Sequence, residues 1–288
     1  MAFSYLLLHV EADECTAVMK GTAVAAIAKL AVEFDGLVSA FNDNCLKSQL
    51  LYPFLGTFDD QPAQPFAAIV LKDHDAVKVK SIYSHLAAAE DPAEDAYTMG
   101  QIEMFRTNAG TISDAIGYRP MYHILNSAGI ERFTQYQFDM VRLGIGIYGI
   151  SSVPGIRLAP VASLKCKILQ IKHLKPGDGN IGYGRWGKIA PEGTTIATIP
   201  CGYADGIDRH LGRGRCSFML NGKRVPTIGN ICMDMCMLDI TGVDAKVGDV
   251  VTIFGEDPSV DELAEILDTI PYEILTSIPR RIERVVTI

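Results

Sequence analysis

An α/β half followed by an all-β half is the fold class that this sequence predicts, on two observations. Up to about residue 150, strand-like runs alternate with helical patterns, the signature of βα units and a parallel sheet. Beyond that point short, turn-separated runs take over, most of them rich in β-branched residues, and Asn221-Gly222 between two of them is a strong hairpin signal. The division is expected at 1–152 and 153–288.

In chain order, Tyr5–Val10 is the first strand-like run and Thr22–Glu33 the first helical pattern. Val77–Tyr83 is the next strand-like run and leads into the helical pattern of Tyr97–Ile116 and a further strand at Tyr122–Leu125. In the second half Ala162–Ile171, Thr194–Ile199, Arg215–Leu220, Ile231–Ile240 and Val250–Phe254 are the expected strands. Ser259 to Leu267 reads as a capped helix. Ser259 suits the N-cap, Glu262 completes a capping box three residues on, and Leu263, Ile266 and Leu267 share a face.

Composition narrows the function classes. With 288 residues and 48% hydrophobic content the chain has ample apolar side chain for one or two packed cores. A net charge of -8 without a basic cluster argues against nucleic acid or an anionic membrane as the main partner and points to a small ligand. The longest mostly apolar stretch, Thr22 to Leu30, falls short of the roughly 20 residues that a membrane span needs. The first residues show neither a basic region nor a small-residue cleavage site, so the cytoplasm is the expected compartment. Cysteines at 15, 45, 166, 201, 216, 232 and 236 are odd in number and form no repeated CxxC pair; reduced, mostly buried thiols are expected, with no disulfide framework and no metal. Cys232 and Cys236 stand four apart in a strand-like run and are expected on one face.

Three segments carry the functional signal: Phe138-Asp-Met-Val-Arg142-Leu-Gly-Ile-Gly-Ile-Tyr148-Gly149, Gly202-Tyr203-Ala-Asp-Gly206, and Gly229-Asn-Ile-Cys232-Met233-Asp234-Met-Cys-Met. Together they resemble alanine racemase, a family that uses pyridoxal phosphate to invert the α-carbon of alanine. The resemblance is specific from about Val77 to the C-terminus. It implies a TIM-type (β/α) barrel followed by a C-terminal all-β domain. A complete eight-stranded barrel takes about 250 residues, at the least about 200. The α/β part has roughly 150, so the barrel is expected to be incomplete.

Racemisation removes a proton from one face of a carbon and returns it on the other, so the site needs an electron sink and two opposed acid/base groups. By resemblance pyridoxal phosphate is the sink, one base is the lysine that carries it, and the other is Tyr203, reaching in from the neighbouring subunit. A phenol ordinarily titrates near about 10 and must be tuned by a neighbour to act as a base; the resemblance names His85 and Arg142. Arg142 is implied to face the pyridine nitrogen, where arginine suits because it cannot be deprotonated and hands the ring no proton. An unprotonated ring is a weaker sink, which restrains transamination and favours simple reprotonation. The alternative for Arg142 is a strand cap paired with a carboxylate, and for His85 a hydrogen-bonded core histidine. Asn126, Ser127, Gly144, Ile145 and Tyr272 match the phosphate-binding set, which calls for backbone N–H groups and hydroxyls; Tyr272 equally suits a half-buried core aromatic. Met233 matches the residue whose backbone amide receives the substrate carboxylate across the subunit interface, with a core strand position as its alternative. The implied assembly is a homodimer with shared active sites.

The family's opening motif, an apolar strand ending in lysine followed by Ala-x-Ala/Ser-Tyr-Gly, does not occur. Met1-Ala-Phe-Ser-Tyr5 is similar to the residues just after that lysine, with Met1 in the lysine's place. Tyr5 to Lys20, with Ala12-Asp13-Glu14, and Leu55 to Asp59 are similar to later pieces of the family's barrel, so the first strand is expected to be missing from this chain. Lys20, Lys29 and Lys72 each follow a short apolar run. Lys29 lies inside a helical pattern, and Asp73 to Ala76 are few for a parallel crossover after Lys72, so Lys20 stands ahead of Lys72 as the candidate cofactor lysine, with a solvated surface lysine as the alternative for both. Two functions follow: an alanine racemase supplying D-alanine for peptidoglycan, or a catalytically inactive, shortened relative that dimerises and binds the cofactor. A racemase for a larger amino acid differs only in pocket volume.

Overall fold

A computed structural model describes residues 6–12, 50–54 and 77–286, the first two segments as backbone strands. The chain divides into one unit of Met1–Gly144 with Ser151–Ile156 and a second of Ile145–Ile150 with Arg157–Ile288. The Thr22–Glu33 helix, Lys20, Lys29 and Lys72 lie outside the described residues.

In the first unit β1 (Leu6–Ala12), β2 (Leu50–Phe54), β3 (Val77–Ser84) and β4 (Met121–His123) form one sheet in the order β2-β1-β3-β4. Between β3 and β4 runs the long helix α1 (Asp95–Ile116), and this βαβ unit is parallel as expected, with Tyr83 opposite His123. The sheet as a whole is mixed, which corrects the expectation of a parallel one. β1 runs antiparallel to both β2 and β3.

Helix α1 follows a turn in which Asp91 accepts the Ala93 N–H and Pro92 takes the first position; it ends at Gly117, whose φ of 81° lies in the left-handed region. Its apolar stripe of Ile102, Phe105, Ala109 and Ile112 packs with Ile82, Leu86, Ile124 and Leu125 into the first core. β4 stops at His123, two residues before the expected end. The next carbonyls, of Ile124 and Leu125, accept from the Arg142 side chain and the Arg142 backbone N–H instead of from a strand. Asn126 then caps the short helix α2 (Ser127–Arg132) by accepting the Gly129 N–H.

The second unit holds two antiparallel sheets, ordered β10-β7-β6 and β5-β11-β8-β9. Its strands are β5 (Leu164–Lys167), β6 (Gln170–Leu174), β7 (Thr194–Ile199), β8 (Ser217–Leu220), β9 (Lys223–Pro226), β10 (Cys236–Asp239) and β11 (Val250–Phe254). The run expected as one strand over Ala162–Ile171 is two. It changes sheet at Ile168, buried with its N–H on Asp249, and Leu169, exposed with its N–H on Thr198. The Ile231–Ile240 run is strand only from Cys236; Cys232 sits in a turn closed by its N–H to the Met235 carbonyl, so the two cysteines do not share a strand face. Asn221 and Gly222, with φ of 49° and 75°, join β8 to β9 as the sequence predicts. Phe218, Leu220, Ile199, Leu238, Val251 and Ile253 form the second core, closed by Leu263 of α3 (Val260–Ile266) and Ile274 of α4 (Pro271–Ser277).

Candidate active site

The first unit gathers its chemistry at the ends of β3 and β4. Segment 139–142 runs alongside β4 and extends its pairing. The Asp139 N–H donates to the Tyr122 carbonyl, its carboxylate accepts the Tyr122 N–H at 2.8 Å, and the Arg142 N–H donates to Leu125. Arg119 pairs with the same carboxylate and holds it below the usual carboxylate range. The backbone of Arg142 is thereby fixed, and its guanidinium reaches back across both strand ends.

That guanidinium donates to the Ser84 carbonyl at 2.6 Å, to the His123 and Ile124 carbonyls at 3.3 Å, to His123 Nδ1 at 2.6 Å and to His85 Nδ1 at 3.4 Å. It also lies 5.0 Å from the centre of the Tyr83 ring, against which His123 stacks at 4.7 Å. Among the described residues no carboxylate forms an ion pair with Arg142, which removes the strand-cap-with-carboxylate alternative within them. Burial pulls the Arg142 pKa down, and among the described residues its hydrogen bonds go to groups without charge. A guanidinium has donors only, so each imidazole must present it a bare Nδ1 and carry its proton on Nε2. For His85, burial first and the Arg142 charge second lower the pKa, both favouring this neutral form.

Beside this cluster the Gly144 N–H donates to the Ser127 hydroxyl at 2.9 Å, bringing two of the expected phosphate-binding groups together, with Asn126 adjacent as the cap of α2. His123 and Tyr83 escaped the motif reading. The only signal was a polar residue between Tyr122 and Ile124 in an apolar strand.

The remaining candidates belong to the second unit and are described within it. Tyr203 opens a single tight turn, exposed, with its N–H on the Cys232 carbonyl, while the Ala204 N–H donates to the Met233 carbonyl. Tyr203 and Met233 are thus adjacent on paired loops, and Met233 is exposed instead of sitting in a core strand. Ile145 is buried in the second core, and Tyr272 is half exposed in the first turn of α4. Among the described residues no group of three or more His, Cys, Asp or Glu could hold a metal ion, and no helix is long and apolar enough to cross a membrane.

The fold and these groups define a class: an α/β unit presenting an arginine ringed by aromatic and imidazole groups, followed by a β domain that displays a tyrosine and a methionine on paired loops. Two family models match, the alanine racemase N-terminal domain over residues 55–152 and the alanine racemase C-terminal domain over residues 161–286. The chain belongs to the alanine racemase family. Alanine racemase of Mycobacterium tuberculosis H37Rv is 35% identical over 220 residues, covering 73% of this chain and 56% of the relative. The solved alanine racemase of Clostridium difficile 630 in complex with cycloserine is 34% identical with a TM-score of 0.66, over 74% of this chain and 58% of that one. That of Bartonella henselae with covalently bound pyridoxal phosphate is 31% identical with a TM-score of 0.64, over 72% and 56%. These likenesses bear out the fold class, a TIM-type (β/α) barrel followed by a C-terminal β domain, and the chain spans little more than half the length of these relatives.

Proposed function

We propose that this protein is a pyridoxal-phosphate-dependent amino-acid racemase that interconverts L- and D-alanine, supplying D-alanine for peptidoglycan. The observation that carries the reading is Arg142, a cation held by carbonyls and bare imidazole nitrogens with no carboxylate among its described partners. That donor set fits a pyridine nitrogen, which needs a hydrogen-bond donor that never yields its proton. The Ser127 hydroxyl, the Gly144 amide and Asn126, which meet within the first unit, suit the phosphate arm. The family relationship, with a Bartonella homologue that carries covalently bound pyridoxal phosphate and a Clostridium homologue complexed with cycloserine, supports the same cofactor and a small amino-acid substrate.

When bound, pyridoxal phosphate supplies the electron sink for the α-carbon. Arg142 orients the ring and withholds a proton from it, which keeps the chemistry at proton exchange. Tyr203 Oη moves the α-proton on one face, and Lys20, outside the described residues, is the lysine proposed as the second base. The Met233 amide holds the substrate carboxylate and so orients the α-hydrogen between the two bases. His85, kept neutral with a bare Nδ1, stays hydrogen-bonded to Arg142 and fixes its pose. In this reading the protein is a cytoplasmic homodimer, and Tyr203 and Met233 of one subunit complete the site of the other.

A second reading is a dimerising, cofactor-binding relative without turnover, favoured by the absence of the family's lysine motif from the sequence. Incubation with pyridoxal phosphate, reduction with borohydride and peptide mass spectrometry separates the two. Stoichiometric pyridoxyl modification of Lys20, with alanine racemisation in the same preparation, is the expected result. No lysine adduct would eliminate the racemase and leave the inactive relative.

A further inference from the structure

The loops that display Tyr203 and Met233 are tied by more than their backbones. Asp205, two residues after Tyr203, is buried with its side chain 7% exposed, and one of its carboxylate oxygens accepts the Gly202 N–H at 3.0 Å. The other takes Arg281 from the C-terminal segment, at 3.0 Å from Nε and 2.7 Å from Nη2. A buried carboxylate left without a cation is costly, so this pairing is strongly favoured. The same Nη2 lies 3.1 Å from Asp234, next to Met233 on the opposite loop. Between the carboxylates the two backbones meet closely. A Cβ on Gly202 would stand 2.2 Å from the Cys232 carbonyl oxygen, and the Tyr203 and Ala204 N–H groups donate to Cys232 and Met233 at 3.0 Å.

We propose that Arg281 is a positioning residue for the reaction: its guanidinium clamps the Tyr203 loop to the Met233 loop through Asp205 and Asp234, setting the distance between the proton-moving phenol and the carboxylate-holding amide. This rests on the roles proposed above for Tyr203 and Met233. A planar fork with donors on several edges can serve two carboxylates at once, which the point charge of lysine does poorly. The Asp234 arm lies largely in solvent, where an ion pair adds little to stability. Its consequence is geometric, because ångström-scale misplacement of reacting groups slows a reaction far more than it weakens a fold.

The test uses the full chain with Arg281→Gln, Arg281→Lys and Asp234→Asn. In Arg281→Gln, amide hydrogen exchange at Tyr203 and Ala204 should quicken about tenfold or more while exchange in β7 and β10 is unchanged. Racemisation should lose about tenfold in kcat with a raised KM for alanine. Solvent isotope exchange at the α-carbon should slow more for the enantiomer deprotonated by Tyr203 than for the other. Arg281→Lys should restore part of each effect, and Asp234→Asn should show a smaller change of the same sign. Unaltered exchange at Tyr203 and Ala204 in Arg281→Gln overturns the clamp, whatever happens to activity. Quickened exchange in a protein whose wild type does not racemise alanine overturns the proposed function and leaves the clamp standing.

Discussion

Among the described residues, the full charge of Arg142 is held by hydrogen-bond partners that carry none. This is a specific electrostatic arrangement, since an arginine is more often neutralised by a carboxylate when it leaves bulk water. It makes the site sensitive to the protonation of His85: a proton on Nδ1 would turn an acceptor into a donor and set two cations side by side. Burial and Arg142 hold the His85 pKa below its usual value, so between the two midpoints the unfolded chain binds more protons than the folded one. Stability therefore rises with pH in that window and is lost as the solution is acidified through about 6.5. An imidazole NMR titration should place the His85 midpoint below the ordinary histidine value of about 6.5; a midpoint at or above it would count against the arrangement. Arg142 and His85 were legible because a motif surrounds each. His123 was not, because its place depends on the pairing that sets Tyr83 opposite it across β3 and β4.

Elements follow local chemistry where the signal is local. The Ser259 hydroxyl accepts the Glu262 N–H at 3.1 Å, the N-cap half of the capping box expected for α3, while the Glu262 carboxylate accepts from Arg224 instead of the Ser259 N–H. Ser259→Ala should cost about 1 kcal/mol in urea unfolding; a change indistinguishable from zero would show that packing against Ile274 and the second core sustains the helix without its cap. Strand limits were less legible than strand existence. The alternation Leu164-Lys165-Cys166-Lys167-Ile168 slips by one residue at Leu169, yet a slip alone does not say that the chain crosses there to another sheet. Likewise Ile231 to Met235 has strand-like composition, yet its backbone is drawn into the turn that meets Gly202.

On the scale of the whole chain, each unit has its own apolar core, and we expect each to unfold on its own account. Trp186, the only tryptophan, stacks under Arg213 at 3.8 Å in the second unit and serves as its probe. Phe218, fully buried there, should cost about 3–5 kcal/mol when cut to alanine. Trp186 fluorescence should report that loss in denaturant, with hydrogen exchange in α1 unaffected; a matching loss of protection in α1 would show a single cooperative block. The sequence by itself determined the change from α/β to all-β architecture, the hairpin at Asn221-Gly222, the helix cap at Ser259 and the family, because each is written in neighbouring residues or in short motifs. Only the tertiary structure decided that β1 is antiparallel to β3, that His123 joins His85 on Arg142, and that Arg281 reaches Asp205 and Asp234. Those contacts join residues far apart in the chain, and which of many polar side chains meet is settled by strand register and burial, which no local pattern records.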